Sequence, residues 1–575
     1  MTTSCRFERF RELIRPFSAG VFAAMTVLNN ASPLRAEAPA TLLIHNETAN
    51  RIDPRLFGQF LERASFGDHG PEAFVNAKTG RLPSPILEKI ATMEIPLVRF
   101  PGGTDVDYID WRDMIDHVPG RDGPRPVTTG FGGKTITNRF GYDEYFALRD
   151  QMGWETIIVV NLLDGLAKKR PLREAAQLAA GLVAYCHAPL GARLPEGMPD
   201  WPAARARNGH PEPFGIQYVQ IGNEMWLKRA RDAVQTATGL EGEALARWYI
   251  EVYTAYIQAI RQVDPALPII LDQFSAPGQW RTVLTDPYIR AQVRWVAQHK
   301  YAPGPANQIR RNGSDVDTSG WSAEQWWWVW ATLPGDYDDQ GQNIAFGASL
   351  EGLEDLGYRL AVTEWNWNGW NWHDVPAGFD APAAAGIGAA GWLHGMMRQG
   401  ATIGLAAQSM LLGAVWSFAA VVGDPSGIEE PYFSPQGAVT TFYRHRHGDR
   451  RLRATLTGVE TRPQPYHVGW GAPIERAAVL DAVVTANDAT VFVHVINRDF
   501  HRDLPLELDF SALGPLRETG EHAIYTCRLR AEPGHGASKG MAQWTEQPIA
   551  TAPKMQVLLP RRSVSIITVR RRPAP

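Results

Sequence analysis

Apolar runs alternate with amphipathic stretches from about residue 51 to residue 422. Short, continuous apolar runs are typical of strands buried on both faces, and their alternation with helical spacing predicts parallel β-α-β units. The predicted strands are Leu56–Phe60, Pro96–Phe100, Thr156–Asn161, Ile216–Glu224, Pro268–Phe274, Val293–Tyr301, Tyr358–Trp365 and Leu411–Phe418. The predicted helices include Ser84–Met93, Asp143–Met152, Leu172–His187, Glu243–Val263 and Ala381–Gln399.

Eight such units in under 400 residues favour an α/β fold of the (β/α)8 TIM-barrel type. A doubly wound sheet is the alternative, but no glycine-rich dinucleotide-binding turn follows the first predicted strand. The stretch from Pro303 to Tyr337 is rich in polar residues, glycine and tryptophan. It predicts a long loop over the mouth of the barrel.

The period changes after about residue 442, where short alternating runs are separated by turn residues. This pattern predicts an all-β module, a sandwich, at the carboxyl end. Its predicted strands are Ala477–Val484, Thr490–Asn497, Pro505–Phe510, Ala523–Leu529, Met555–Leu559 and Val564–Val569. Thr41–His45 is also strand-like, and we expect it to join the sandwich. The predicted organisation is residues 39–50 for this strand, 51–440 for the barrel and 441–575 for the sandwich.

The first 38 residues have the three parts of a secretory signal peptide. Arg6, Arg9, Arg11 and Arg15 make a basic start, and the apolar stretch Phe17–Leu28 is too short to span a bilayer. Ala36-Glu37-Ala38 then supplies a cleavage pattern of small residues. We therefore expect residues 1–38 to be removed and the protein to be periplasmic or secreted.

The composition limits the classes of partner and cofactor that we expect the protein to bind. The formal net charge is −4 and no long basic run follows the predicted signal, which argues against nucleic acid or a membrane surface as partner. Twenty tryptophans and 16 tyrosines suit sugar faces but equally suit cores. Cys186 and Cys527 are far apart, so no disulfide is expected, and neither CxxC nor HExxH occurs. We expect no cofactor and no metal site.

Two glutamate motifs carry the candidate chemistry, each at the end of a predicted strand. Glu224 closes Ile221-Gly222-Asn223-Glu224 after the fourth strand, and Glu364 lies in Val362-Thr363-Glu364-Trp365 on the seventh. Strands four and seven lie on opposite sides of an eight-stranded ring, so these carboxylates can converge across its mouth. Two facing carboxylates are the minimum equipment for breaking a glycosidic bond. A surface salt bridge is the alternative for either glutamate taken alone.

At these residues the chain resembles glycoside hydrolase family 51, the α-L-arabinofuranosidases. The resemblance runs from about Ile52 to the carboxyl end. The matching segments are Ile52–Glu62, Arg99–Gly103, Tyr108–Arg112, Asn138–Tyr145, Gly222–Glu224, His299–Tyr301 and Glu364–Asn366.

The resemblance implies the roles of the two acids. Glu224 would be the acid/base and Glu364 the nucleophile of a retaining double displacement without cofactor. The physics agrees, because a nucleophile must stay ionised whereas the acid must hold a proton until it reaches the leaving oxygen. The resemblance also implies that members often form oligomers, although no residue of this sequence indicates an interface.

Further residues are implied as substrate contacts. Glu62 resembles a carboxylate that accepts hydrogen bonds from sugar hydroxyls, and Asn223 is similar to the asparagine that holds the 2-hydroxyl. Arg99 would orient carboxylates from beneath, with a structural ion pair as its alternative, and Tyr301 would donate to the nucleophile. Gln408 resembles a sugar-binding position, against the alternative of a satisfied helix amide. Trp367, in the tryptophan-rich run after the nucleophile, is a stacking candidate.

The sequence also departs from the family pattern. Thr104-Asp105 stands where an asparagine usually follows the Pro-Gly-Gly turn, and Thr363 stands where an aspartate commonly precedes the nucleophile. The cluster formed by Trp321 and Trp326–Trp330 has no counterpart that the resemblance places. It either walls a sugar pocket or forms a loop core.

Four functions therefore stay open. The first is an exported hydrolase that releases terminal α-L-arabinofuranosyl residues from plant polysaccharides. The second is the same retaining mechanism on another glycoside, such as a galactofuranoside, a β-glucan or a xylan. A non-catalytic carbohydrate-binding protein is the third, and a metal-dependent hydrolase the fourth. The sequence does not decide which polymer is bound or whether attack is terminal or internal.

Overall fold

The computed structural model describes residues 39–63, 70–76, 79–121, 123–273, 277–333, 335–347, 352–370, 381–526 and 544–572. The predicted signal peptide and Cys527 lie outside these residues, while Cys186 is a buried free cysteine. No helix in the described ranges has the length and apolar character needed to cross a membrane.

Eight parallel strands close into a barrel, which confirms the predicted fold class. In chain order the strands are Gly58–Phe60, Leu97–Phe100, Glu155–Val160, Tyr218–Ile221, Ile269–Leu271, Trp295–Pro305, Arg359–Trp370 and Ile403–Ser409. Neighbours in sequence are neighbours in the ring, and the eighth strand pairs with the first through Gln408 and Gln59.

Helices connect the strands, with short 3-10 turns at Pro54–Phe57, Thr104–Asp107, Trp111–Met114 and Phe131–Gly133. The described α-helices are Pro71–Phe74, Ser84–Ala91, Tyr142–Met152, Leu163–Leu166, Leu172–His187, Trp201–Arg207, Lys228–Thr238, Gly242–Val263, Pro277–Thr285, Pro287–Gln292, Ala323–Ala331, Ala381–Arg398 and Pro435–His445. All five predicted helices agree with these bounds within two residues.

The prediction for the eighth strand is wrong. The strand is Ile403–Ser409, whereas the predicted run Leu411–Phe418 contains only the two-residue strand Leu412–Gly413. The true strand contains Gly404, Ala406 and Ala407, and such small residues lack the branched apolar signature of a strand. They are needed because space is short: a Cβ on Gly404 would lie 2.4 Å from Arg359 and from Trp295.

The second module is a nine-stranded sheet that takes strands from both chain ends. Its order is Trp544–Ala550, Thr519–Thr526, Ser563–Arg570, Thr490–Asn497, Leu480–Ala486, Arg450–Thr457, Ala40–Arg51, Leu504–Asp509 and Lys554–Leu559. Ala40–Arg51 lies antiparallel to Arg450–Thr457 and parallel to Leu504–Asp509. Alternate residues of eight of these strands enclose one separate core, as in a sandwich, whereas Ala523 and Tyr525 of Thr519–Thr526 belong to the main core.

Small sheets complete the connections. They consist of Thr128–Thr129 with Thr135–Ile136, of Leu412–Gly413 with Val421–Val422 and Tyr432–Phe433, and of Thr461–Gln464 with Ile474–Ala478. A further sheet joins Ile309–Arg311 of the barrel module to Ser314–Asp315 and to His467–Val468 of the β module.

The segment predicted as a loop over the barrel mouth contains the helix Ala323–Ala331, so that prediction is wrong in part. The helix begins with a capping box between Ser322 and Gln325, a local signal that the tryptophan content obscured. Trp327 donates to the carbonyl of Arg498 at 2.7 Å, and Trp328 donates to that of Pro463 at 3.0 Å. The tryptophan cluster therefore packs the barrel module onto the β module.

A buried ionic cluster lies at the same junction. Asp481 of the β module accepts a hydrogen bond from His394 at 3.0 Å and contacts Arg398 and Arg498, and its side chain has no solvent exposure. Burial raises the pKa of Asp481, but the neighbouring cations outweigh burial and hold it well below its usual range. The carboxylate is thus ionised and is the shared counter-ion of the junction.

We expect Asp481→Ala to lower the free energy of unfolding by about 3–5 kcal/mol, because it leaves buried cations without a partner. Urea denaturation measures this difference, with the milder Asp481→Asn as a second variant. Asp488→Ala is the matched control, since Asp488 pairs with Arg450 on the same module but is fully exposed. Equal stability of Asp481→Ala and Asp488→Ala would contradict the role of the cluster.

Candidate active site

The site arises from the two-residue period of the barrel strands. An apolar layer inside the barrel is formed by Leu97, Ile157, Ile270, Ala297, Ala361 and Leu405, with Tyr218 packed against it. Since alternate residues of a strand point to the same side, the residues two positions further on form the next inward layer. That layer contains the polar side chains Arg99, Gln220, Asp272 and His299, all of them buried.

Arg99 connects three strands at the floor of the site. Its guanidinium donates to Glu364 Oε1 at 2.8 Å, to Asn223 Oδ1 at 2.7 Å and to Gln220 Oε1 at 2.9 Å. It is completely buried and also lies over the ring of Phe60, 4.7 Å from its centroid. Both alternatives for Arg99 therefore hold at once, because the buried ion pair is also what orients the carboxylate and the amide.

Glu364 lies within the long seventh strand and is held by three side chains. Arg99 occupies Oε1, while Tyr301 donates to Oε2 at 2.7 Å and His299 Nδ1 lies 3.4 Å from Oε2. Burial raises the pKa of Glu364, but His299, Arg99 and the Tyr301 hydroxyl outweigh burial and lower it below its usual value. The site thus keeps this carboxylate ionised.

Glu224 follows the fourth strand in a turn with unusual backbone geometry. Gly222 has φ +92° and Glu224 has φ +55°. A Cβ on Gly222 would lie 2.8 Å from Leu162, so glycine is required there. Asp272 accepts a hydrogen bond from the backbone N–H of Met225 at 2.7 Å and fixes the turn from the fifth strand. Burial raises the pKa of Asp272 to about 6.

His299 joins the two glutamates, a role that the sequence analysis missed. Its Nδ1 lies 3.0 Å from Glu224 Oε1, and its Nε2 lies 3.0 Å from the Thr363 hydroxyl. Burial lowers the pKa of His299, but the two carboxylates outweigh burial and raise it above the usual value. Its position two residues before Tyr301 on one strand was the available signal, since both side chains then point inward.

Glu224, His299 and Glu364 also form the one group of histidine and carboxylates among the described residues whose ligand atoms are close enough to hold a metal ion. The ligand atoms of Glu224, His299 and Glu364 lie within 4.8 Å of one another. His299 Nδ1 already contacts both carboxylates, and its other nitrogen contacts Thr363. The same atoms are equally well explained, without a metal ion, as two carboxylates hydrogen-bonded to one histidine.

Glu62 and Asn223 face the same small space as Glu364. The backbone N–H of Gly103 donates to Glu62 Oε1 at 3.3 Å. A Cβ on Gly103 would lie 3.0 Å from that oxygen, 3.2 Å from Glu364 Oε1 and 3.7 Å from Asn223 Nδ2. Asn223 Nδ2 is buried and has no hydrogen-bond partner among the described residues. A buried donor of this kind suits a ligand hydroxyl.

Thr104, where the sequence departs from the family pattern, accepts a hydrogen bond from Arg229 of the helix after Glu224. Arg229 donates to Asp107 Oδ2 at 2.9 Å, to the Thr104 hydroxyl at 3.3 Å and to the carbonyl of Asn223 at 3.5 Å. Asp105 turns away from this group and accepts from the backbone N–H of Phe131 at 2.7 Å. The loop after the second strand thus supports the Asn223 turn through Arg229.

Two predicted sugar contacts have other partners. Gln408 lies on the eighth strand and not on a helix, and it is completely buried. Its amide accepts from Gln59 at 3.0 Å and donates toward the carbonyl of Gln436 at 3.3 Å and toward Asn366 Oδ1 at 3.4 Å. It thus links strand one, strand seven and the last helix of the barrel module.

Trp367 is also completely buried, between the seventh strand and the helix Ala381–Arg398. Its ring lies 5.1 Å from Trp330 and 6.1 Å from Trp416, centroid to centroid, and a Cβ on Gly388 would lie 2.3 Å from it. The interpretation of Trp367 as a stacking platform is therefore wrong. It stands at an odd offset from Glu364, so the strand period turns it away from the barrel interior.

Comparison with known proteins agrees with this architecture. The model of the α-L-arabinofuranosidase 1 domain matches residues 89–317. An intracellular exo-α-(1→5)-L-arabinofuranosidase of Streptomyces lividans is 25% identical over 510 residues, which are 83% of this chain and 66% of that protein. An α-L-arabinofuranosidase C of Emericella nidulans is 26% identical over 42% of this chain and 43% of its own length. The chain thus spans less than two thirds of either relative.

Solved structures share the fold over nearly the whole chain. An α-L-arabinofuranosidase from Thermotoga maritima in complex with arabinose has a TM-score of 0.69 and 18% identity, and it covers 92% of this chain and 100% of its own. A family 51 α-L-arabinofuranosidase from Thermotoga petrophila has a TM-score of 0.68, with 18% identity and coverage of 92% and 99%.

Fold and comparisons together define the class as a (β/α)8-barrel protein with an accompanying β-sandwich. Within that class, the chain is similar to the α-L-arabinofuranosidases, including one of family 51.

Proposed function

We propose that the protein hydrolyses terminal α-L-arabinofuranosides with retention of anomeric configuration, using Glu364 as nucleophile and Glu224 as acid/base. The observation that carries this proposal is the pairing of the two carboxylates across the barrel mouth, with oxygens within 4.8 Å and His299 between them. Retaining glycosidases have carboxyl groups about 5–5.5 Å apart, whereas inverting enzymes need about 6.5–9.5 Å to admit a water. The short separation favours double displacement.

The environment of Glu364 suits a nucleophile. Arg99, Tyr301 and His299 stabilise its ionised form, and together they aim the carboxylate from the floor and one side of the site. Attack at the anomeric carbon forms a glycosyl ester with Glu364 and breaks the bond to the leaving oxygen. The lowered pKa of Glu364 means that this group is charged at the pH where the acid must still hold its proton.

Glu224 suits the acid/base role because its contacts are fewer. His299 Nδ1 is its side-chain contact at 3.0 Å, and its side chain is 13% exposed against 7% for Glu364. Glu224 gives its proton to the leaving oxygen in the first step. Once Glu364 is esterified its negative charge is gone, which favours the ionised form of Glu224, and Glu224 then takes a proton from the attacking water.

The substrate class rests on the family and on the pocket. The relatives and the two solved structures described above are α-L-arabinofuranosidases, and the one from Thermotoga maritima has arabinose bound. Glu62 and Asn223 Nδ2 offer an acceptor and a donor to hydroxyls of a sugar held above Glu364. Plant polysaccharides with terminal arabinofuranosyl groups are the proposed substrates. Homo-oligomerisation, which the resemblance implies, stays a prediction.

We expect Glu364→Gly and Glu224→Ala each to lose at least about 100-fold in kcat/KM on an aryl α-L-arabinofuranoside. Azide should rescue both when the leaving group is activated, giving an inverted glycosyl azide with Glu364→Gly and a retained one with Glu224→Ala. Proton NMR of the products measures the configuration. The opposite stereochemistry would exchange the two roles, and parent turnover of galactofuranosides, β-glucosides or xylosides but not of the arabinofuranoside would overturn the substrate class. Parent inactivity on all of them, with sugar binding kept by both variants, would instead indicate a binding protein.

We further expect Tyr301→Phe to move the acidic limb of the kcat/KM profile to higher pH by roughly one unit. The substitution removes the 2.7 Å hydrogen bond that stabilises ionised Glu364, so its pKa rises and the nucleophile is protonated at a higher pH. Tyr145→Phe is the matched control, because that hydroxyl bonds Thr156 at 3.0 Å instead. An unchanged acidic limb in Tyr301→Phe would contradict the assignment of that limb to Glu364.

We also propose export, on the strength of the basic start, apolar stretch and small-residue site in residues 1–38. Two arabinofuranosidases among the relatives are named as intracellular proteins, so the similarity to them does not by itself indicate export.

The expected product in a secreting host begins at Pro39, after cleavage behind Ala38. Amino-terminal sequencing of protein from the periplasm or medium measures this. Replacing Ala36 and Ala38 by bulky residues should leave the precursor uncut. An uncut, fully cytoplasmic parent protein would overturn the proposal.

A further inference from the structure

A nearly buried cation lies directly behind the turn that carries Glu224. The helix Lys228–Thr238 begins shortly after this turn and has no acidic residue in its first turn. The side chain of Lys228 is 80% exposed, whereas that of Arg229 is only 14% exposed. A cation at a helix N-terminus opposes the helix dipole, so the helix itself gains nothing from Arg229. The reason for its burial must lie in the groups that it contacts.

Arg229 connects the loop after the second strand with the peptide unit that joins Asn223 to Glu224. One terminal nitrogen donates to Asp107 Oδ2 at 2.9 Å. The other donates to the Thr104 hydroxyl at 3.3 Å and to the Asn223 carbonyl at 3.5 Å. The side chain of Asp107 has no solvent exposure. Because the donors of a guanidinium form a rigid planar fork, the bond to Asp107 also sets the direction in which the second nitrogen points.

The peptide unit needs support because Glu224 has an uncommon backbone conformation. Its φ of +55° lies in the left-handed region, which a residue other than glycine keeps only where its surroundings hold it. After Glu224, Asp272 accepts from the backbone N–H of Met225 at 2.7 Å. Before Glu224, Arg229 donates to the carbonyl of the preceding residue. The acid/base is therefore held from both sides along the chain.

The ion pair between Arg229 and Asp107 is a poor device for stability alone. Arg229 Nε and Asp107 Oδ1 are buried and have no hydrogen-bond partner among the described residues. Burial raises the pKa of Asp107 to about 7, although Arg229 opposes this. Burial also lowers the pKa of Arg229, but Asp107 and then Glu224 outweigh it and raise the value. A buried pair with unsatisfied atoms adds little stability, so its position beside Glu224 is what it contributes.

We propose that Arg229 is a positioning residue for the acid/base, holding Glu224 through the Asn223 carbonyl in the orientation that protonates the leaving oxygen. Asp107 in turn holds Arg229. The inference rests on the proposed function, because it gives Arg229 a part in the proton transfer by Glu224. The Asn223 side chain has a different holder, Arg99 at 2.7 Å. Loss of Arg229 should therefore impair protonation of the leaving group more than binding of the sugar.

The test varies the leaving group in Arg229→Gln. Departure of 2,4-dinitrophenolate needs no proton, whereas departure of phenol is assisted by a general acid. We expect kcat/KM of Arg229→Gln to fall about 10- to 100-fold on phenyl α-L-arabinofuranoside and to stay within about threefold on the 2,4-dinitrophenyl glycoside. Arg229→Lys keeps the charge but not the planar fork, so it should recover part of the loss. If Arg229→Gln does not fold, the double variant with Asp107→Asn removes both buried charges and takes its place in the same assay.

Lys228→Gln is the matched control, because it removes a neighbouring cation of the same helix that pairs with Asp232 in solvent. It should change neither substrate. An equal loss of Arg229→Gln on both substrates would overturn the proposal, since it marks a structural role, and so would unchanged kinetics on both. Glu224→Ala is measured alongside and should show the same dependence on the leaving group. Absence of that dependence in Glu224→Ala would refute the proposed function, whereas its absence in Arg229→Gln alone would refute the role of Arg229.

Discussion

The site depends on one buried cation. Arg99 has no contact with solvent, yet its guanidinium binds a carboxylate on strand seven, an amide after strand four and a second amide within strand four. A buried arginine is costly unless every donor is paired, and here the partners are the groups whose positions matter most. The same contacts that make the cation tolerable fix Glu364 and Asn223 relative to each other. The contacts that stabilise the floor of the site are therefore the same contacts that fix its geometry.

Much of this arrangement was predictable because strand periodicity is simple. Strand-end motifs indicated the barrel and both glutamates, and Arg99 and Tyr301 follow from the resemblance. His299 was missed because its role depends on two partners that are 75 and 65 residues away in sequence, and only the closed ring brings them together. The eighth strand was missed because crowding between Arg359 and Trp295 requires small residues, which remove the usual strand signal.

Tryptophan misled the sequence analysis in both directions. Trp367 stands close to Glu364 in sequence but is turned outward by the strand period, where it packs with Trp330. Trp327 seemed to belong to a loop, yet its indole N–H is bonded to the β module. Trp470 lies outside any motif, yet it is the one tryptophan among the exposed large apolar side chains of the described residues. The number of aromatic residues does not tell whether a ring is packed in a core or exposed for binding, since the same apolar ring serves either use.

The junction between the two modules fixes the β sheet against the barrel. The Asp481 cluster and the Trp327 contact hold the β sheet on the barrel helices, and the pairing of Ile309 with Val468 fixes the turn at residues 468–471. Because the turn also meets the barrel backbone through glycine on each side, little freedom remains for it to move. A Cβ on Gly469 would lie 1.9 Å from the carbonyl oxygen of Pro303, so the β module packs directly on the sixth strand and is a fixed part of the barrel wall.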